Sequence, residues 1–381
     1  MARGKAGKAG KAGRTTKRQS EKGGWRRVLL GILVLLAVLL VPVGMVAWNW
    51  WQLQQPYKGY TGAEKLVEVA PGTSASQILE RLEKEGVLAD AGGARFYLVY
   101  FLDDASIRAG EYLFQGPLTT PQVLRMLTRG QVVNHSITLV EGLTLEETAD
   151  QLAKAGFGER DTFVELMRSP ALIADFDPQA PDLEGYLFPE TYSFSRDVDE
   201  QTIVQTLVKT FRRRFDEKVK AKIAPGRTMR QLVTLASIVE KEAQVAAERP
   251  VIAAVYQNRI DRGMGLGADP TVIYALKRLG RWDGNIRKDD LRVDSPYNTY
   301  RYAGLPPGPI CSPGLASLAA AADPADVPFL YFVSRNDGTH VFARSLAEHN
   351  RNVEQWQRRY WRERRAQQRE AERQGQGGPG R

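Results

Sequence analysis

Apolar and polar residues alternate along this chain in three rhythms. The first is an unbroken run, residues 28–47, VLLGILVLLAVLLVPVGMVA, uncharged and mostly apolar. Twenty residues rise about 30 Å as a helix, which is the hydrocarbon thickness of a bilayer. Pro42 is tolerated there, because membrane helices re-satisfy the backbone group it frees. Trp48, Trp50 and Trp51 follow, placed like an interfacial aromatic belt. The basic flank is N-terminal, so the positive-inside rule puts residues 1–27 in the cytoplasm and the rest of the chain outside it. A cleaved signal peptide fits less well, since the run is long for one and no small-residue cleavage site follows.

The second rhythm is an internal repeat. VEVAPGTSASQILERLEKEGV (67–87) aligns with ITLVEGLTLEETADQLAKAGF (137–157) at a constant offset, matching Gly72 with Gly142, Leu82 with Leu152 and Gly86 with Gly156. Each copy predicts a short strand, a glycine turn and an amphipathic helix closed by glycine. Thr73 or Ser74, and Thr144, suit the helix caps. This grammar resembles LysM-type modules that bind cell-wall glycan; a purely structural role suits it equally.

The third rhythm is QLVTLASIVEKEA, residues 231–243. Leu232, Leu235, Ala236 and Val239 recur at the three-and-four spacing of a helix face, and three further lies Glu242. Glu240 and Lys241 fall off that stripe. A carboxylate aimed where a helix otherwise buries Leu and Val tends to keep its proton, as a general acid for sugar chemistry must. The alternative is a glutamate at the end of a core stripe, paired with an arginine.

Further elements follow from the same patterning. Residues 107–120 predict a strand and turn, with helices at 121–129, 161–168, 204–222 and 248–262. A loop at 263–268 turns into a helix at Asp269-Pro270, with Asp269 as the N-cap. A short helix covers 314–322. FLYFVSRNDGTHVFA (329–343) predicts a hairpin turning at Asn336-Asp337-Gly338, and a last helix starts near Leu346. LEGYLFPETYSF (183–194) reads either as an aromatic groove wall or as a core loop. SPYNTYRYAGLPPGPICSPG (295–314) reads either as a rigid site-lining loop or as a strap over the core.

Composition changes this picture little. The 381 residues exceed one ordinary core, and a net charge of +9 raises the question of nucleic acid. That charge concentrates in residues 1–27 and beyond Arg358, leaving the middle near balance, so no nucleic-acid role is assigned. The N-terminal arm suits anionic lipid headgroups instead. Cys311 is the one cysteine, so no intrachain disulfide forms. HExxH, CxxC and Walker signatures are lacking, which argues against metal or nucleotide cofactors.

Five segments, ASIVEKEA, NRIDRGMGLGADPTVIYAL, SPYNTYRYAGLPPGPICSPG, YFVSRNDGTHVFARSLAEHN and LEGYLFPETYSF, occur in an order and spacing that resemble the endolytic murein transglycosylase (YceG-like) family, over about residues 60–360. The resemblance implies an α+β protein of the cell inner membrane. Its parts would be a disordered cytoplasmic arm (1–27), a single transmembrane helix (28–48), a LysM-like α/β subdomain (60–135), a mixed α/β catalytic domain in the periplasm (136–360) and a basic flexible tail (361–381). It implies cleavage of the MurNAc–GlcNAc β-1,4 bond within peptidoglycan glycan strands, leaving 1,6-anhydro-MurNAc ends and limiting chain elongation. The family's catalytic glutamate falls on Glu242. Candidate substrate-binding residues are Asn258, Tyr297, Asn298, Tyr300, His340, Glu184 and Glu190, the last two also candidates for a second carboxylate. No metal or cofactor is called for. Penicillin-binding synthases are the implied protein partners. A non-catalytic glycan-binding scaffold and a hydrolytic muramidase stay open as alternatives.

Overall fold

The computed structural model describes residues 21–375. Residues 1–20 and 376–381, which hold most of the expected arm and the end of the expected tail, lie outside the described residues. Helix α1, Glu21–Leu53, begins seven residues before the apolar run and continues through Pro42. Residues 21–27 are therefore helical, not the disordered segment expected. The long apolar helix has already met the nucleation cost, and each added residue extends it. Among the described residues, one helix is long and apolar enough to cross a membrane, Val28–Leu53.

The chain divides into two compact units, with the boundary between Val133 and Asn134. The first carries β1 (Glu64–Val69), α2 (Ala75–Lys84), α3 (Ala91–Phe101), β2 (Gly110–Gln115) and α4 (Thr120–Arg129). Strands β1 and β2 pair antiparallel, with Val67 opposite Tyr112. Val67 and Val69 alternate inward as the period of a strand requires, onto Leu79, Leu82, Leu98, Phe114 and Leu124.

The second unit begins with β3 (His135–Thr138), α5 (Leu145–Lys154), α6 (Arg160–Arg168) and β4 (Thr191–Phe194). It repeats the strand–helix–helix–strand order of β1, α2, α3 and β2, again with an antiparallel pair. The likeness extends to the caps. Ser74 with Gln77, and Thr144 with Glu147, form reciprocal capping boxes. Gly86 and Gly156 end the helices at φ 75° and 78°, a left-handed conformation that favours glycine. The duplication thus includes a second helix and a return strand that the aligned segments did not contain. Segment 183–194 is the core loop of the two readings. Leu183, Tyr186, Leu187, Phe188, Tyr192 and Phe194 are all buried, and Tyr186 sets its ring edge-on to Phe211.

The remainder is mostly helical: α7 (Glu200–Lys218), α8 (Met229–Glu242), α9 (Arg249–Asp261), α10 (Asp269–Arg278) and α11 (Leu315–Ala322). The hairpin β5 (Tyr331–Ser334) and β6 (His340–Ala343) follows, then α12 (Leu346–Val353) and α13 (Tyr360–Gly375). Helix α8 is the centre. Every residue from Leu232 to Val239 is buried, so the predicted stripe is one side of a helix enclosed on all sides, packed against α9, α10 and α11. Its buried Ser237 accepts from the Ile310 amide at 3.0 Å, which straps segment 295–314 to the core. Leu235→Ala should therefore cost about 2–5 kcal/mol, read as a lower denaturant midpoint with an unchanged slope.

Candidate active site

Helix α8 stops where its stripe would have carried Glu242 into the core. Ala243 leaves helical geometry at ψ 109°. Glu242, the last helical residue, opens instead onto a cleft of about 540 Å³. Tyr256 of α9, Arg259, Asp269 of α10 and Tyr300 line it beside Glu242; Tyr331, Phe332, His340 and His349 form the hairpin side.

The Tyr256 hydroxyl donates to Glu242 Oε1 at 2.9 Å. Burial pushes the Glu242 carboxyl up to about 7; the Tyr256 bond and the Arg259 charge oppose that rise, and Asp269 adds to it. Tyr300 donates to Asp269 Oδ1 at 2.6 Å. Asp269 is the first helical residue and makes no cap, since the N-cap position falls on Ala268. The expected N-cap role is corrected accordingly: its carboxylate serves the cleft. His340 is fixed by Glu248, with Nδ1 at 2.7 Å from Oε2 and its amide donating to Oε1 at 2.9 Å. Arg259 donates to the carbonyls of Leu330 and Leu266, both at 2.6 Å, and lies over the Tyr331 ring. Those bonds pin the hairpin to the cleft wall.

Of the residues singled out from sequence, Glu242, Tyr300 and His340 come together here. The other five do not line this cleft. Asn258 spends its amide on the carbonyls of Val327 and Phe329, at 2.8 and 2.9 Å. Asn298 is wholly buried and holds the carbonyls of Leu291 and Val293. Tyr297 is buried against Tyr274, ring centres 4.9 Å apart. Glu190 is ion-paired with Arg214. Glu184 accepts from the Leu145 amide at 3.1 Å and the Tyr274 hydroxyl at 3.1 Å. Asn258, Asn298 and Glu184 thus hold backbone groups, Tyr297 packs, and Glu190 is held in an ion pair, all away from this cleft. A buried asparagine satisfies carbonyls that water cannot reach. Glu240, read as lying off the stripe, is half-buried, paired with Arg249 at 3.2 Å and accepting from the Gly314 amide at 2.9 Å. Tyr256, Arg259, Phe332 and His349 were not singled out. The only sequence signal for Tyr256 was its place on the helix following α8.

Glu184 carries a testable consequence. Burial pushes its carboxyl up to about 8, with Asp182 and Glu146 adding to the rise and the Leu145 and Tyr274 bonds opposing it. The folded value lies above the unfolded one, so the folded state holds the proton more tightly. Its stabilising contribution is complete below about pH 4.5 and is lost as pH climbs towards about 8. Glu184→Gln should therefore gain on the wild type between pH 5 and 8, by about 4 kcal/mol at most. Urea midpoints of the two proteins at both pH values check this.

A family model described as the YceG-like family matches residues 67–355. The chain belongs to the YceG-like family. The match begins within β1 and takes in the rest of the first strand–helix–helix–strand motif, the whole of the second, α8 and every cleft residue named above. The chain is 31% identical to the endolytic murein transglycosylase of Bacillus subtilis (strain 168), over 76% of its own length and 84% of that protein. It is 28% identical to the endolytic murein transglycosylase of Streptococcus pneumoniae serotype 2 (strain D39), spanning 57% of that longer chain. A crystal structure of a yceG-like protein from Listeria monocytogenes is similar at a TM-score of 0.52 and 32% identity, covering 76% of this chain and 99% of the other.

Proposed function

We propose that this YceG-like protein is a lytic transglycosylase that cleaves peptidoglycan glycan strands internally, with Glu242 as its acid and base. One observation carries the reading: a carboxyl held near neutrality, open to a cleft with tyrosine and phenylalanine rings on its walls. Protonated Glu242 donates to the oxygen of the MurNAc–GlcNAc β-1,4 bond as that bond breaks through an oxocarbenium-like state. The resulting carboxylate takes the proton of the sugar's own C6 hydroxyl, whose oxygen bonds to C1 and closes a 1,6-anhydro ring. The nucleophile belongs to the substrate, so one enzyme carboxyl suffices. Tyr256 holds Oε1, leaving Oε2 to carry the proton. Glu242 is the catalytic residue, and Tyr300 and His340 are substrate contacts of the same cleft.

A second reading has a specific observation behind it. Asp269 is a second carboxylate in the same cleft, as a hydrolytic muramidase requires. Digestion of uncrosslinked glycan strands, with products weighed by mass spectrometry, separates the two. Anhydro ends, lighter by one water, support the transglycosylase; reducing ends support hydrolysis.

The remaining parts complete the proposal. Helix α1 is a single-pass anchor in the inner membrane with a cytoplasmic N-terminus, and the chain that follows it is extracytoplasmic. The strand–helix–helix–strand motif of the first unit is LysM-like and meets glycan. Cleavage next to penicillin-binding synthases would limit the length of new strands.

A further inference from the structure

Helix α3 has the sequence AGGARFYLVYF, apolar nearly all the way round. Its inner side buries Ala94, Tyr97 and Leu98 in the core of the first unit. Its outer side leaves Phe96 42%, Tyr100 70% and Phe101 48% exposed. Their rings form one cluster, Phe96 lying 4.7 Å from Tyr100 and 6.2 Å from Phe101. A contiguous exposed aromatic patch of this kind marks a binding surface.

What lies beside the patch identifies the partner. Helix α3 packs on α1 at close quarters. A Cβ added at Gly93 would stand 2.7 Å from Asp90 Oδ2 and 3.0 Å from a Leu53 methyl, so the two helices meet closely at this glycine. Trp50 of α1 lies against Phe101 at 4.7 Å. Phe101 also shares an apolar groove of about 500 Å³ with Pro42, Val43, Val46 and Ala47. Pro42 precedes Trp50 by eight residues, about 12 Å back along the helix. The aromatic end of α3 therefore reaches back beside the very residues whose apolar run requires lipid. These contacts set Phe96 and Phe101 beside the stretch of α1 from Pro42 to Trp50. Phe96 borders a neighbouring cleft that also holds Asn49 and Asp90, which sets that edge at headgroup height. Asp90 spends its carboxylate on the amides of Gly92 and Gly93, and Arg95 is paired with Asp104 at 2.7 Å. Aromatic rings beside satisfied polar groups suit the headgroup–acyl boundary.

We propose that the outer face of α3, formed by Phe96, Tyr100 and Phe101, is seated in the outer boundary of the phospholipid bilayer. It would hold the first unit against the membrane surface rather than free on a tether. The inference rests on α1 being a membrane span.

The test uses the full-length chain in nanodiscs of phosphatidylethanolamine and phosphatidylglycerol. An environment-sensitive fluorophore is placed through Tyr100→Cys, or through Glu83→Cys on the charged outer side of α2; the native Cys311 is buried. With nitroxide-labelled lipid in the disc, the probe at position 100 should shift to the blue and lose most of its emission. The probe at position 83 should keep its emission. Equal emission at both positions overturns the proposal. A blue shift without quenching overturns it too, since a protein surface, including a second copy of this chain, would then cover the face. A chain that elutes free of the discs removes the span itself, and so separates failure of that reading from failure of this one.

Discussion

Glu242→Gln should leave the protein folded and reduce strand cleavage by about 10⁴-fold, since one side chain acts first as acid and then as base. Glutamine keeps the shape of the side chain, and its Oε1 still accepts the Tyr256 hydroxyl that now lies 2.9 Å away. What it lacks is a proton to donate and a lone charge to take one back. Full-length protein in lipid, incubated with uncrosslinked glycan strands, would be compared with the variant by mass spectrometry of the products. Anhydro ends formed by the variant at anything near the wild-type rate would remove Glu242 from the reaction. Loss of cleavage with an unchanged unfolding midpoint separates chemistry from folding.

The pH profile is the second large effect. With the Glu242 carboxyl at about 7, kcat/KM should fall tenfold for each pH unit above that value. Two neighbours should move this limb in opposite directions. Tyr256 donates to the carboxylate and so favours the charged form; Tyr256→Phe removes that donor and shifts the limb to higher pH. Asp269 sets a negative charge beside the group and favours the neutral form; Asp269→Asn shifts the limb to lower pH. Rates would be taken only where circular dichroism is constant, because Glu184 also loses its proton in this range. A common direction of shift, or none, would show that Glu242 does not own the limb. If Asp269→Asn instead abolishes reducing-end products, hydrolysis through a second carboxylate is the better account.

Some of this was legible without coordinates because it rests on local chemistry. The long apolar helix is written in the length of one run. The duplicated motif is written in glycines and capping residues at fixed offset, since a left-handed turn and a helix N-terminus each accept few residue types. The NDG turn and its flanking strands specify the hairpin, with Asn336 and Gly338 at positive φ. Helix α3 could not be read this way, since a segment apolar on every side has no period to reveal its inner face. Asn258 and Asn298 misled for a related reason: an amide that holds buried carbonyls has the same letter as one that binds a ligand.

By itself, then, the sequence determined the long apolar helix, the repeat, the central helix and the placing of a carboxylate at the end of its apolar stripe. These are decisions made within a few turns of chain, by periodicity and capping. Tertiary structure alone decided what that carboxylate meets. Tyr256 is 14 residues from Glu242 along the chain, and Tyr300 is 31 from Asp269. Only the packing of α9, α10 and the hairpin around the end of α8 brings them to one cleft. Burial there, which no local pattern reports, holds the proton on Glu242.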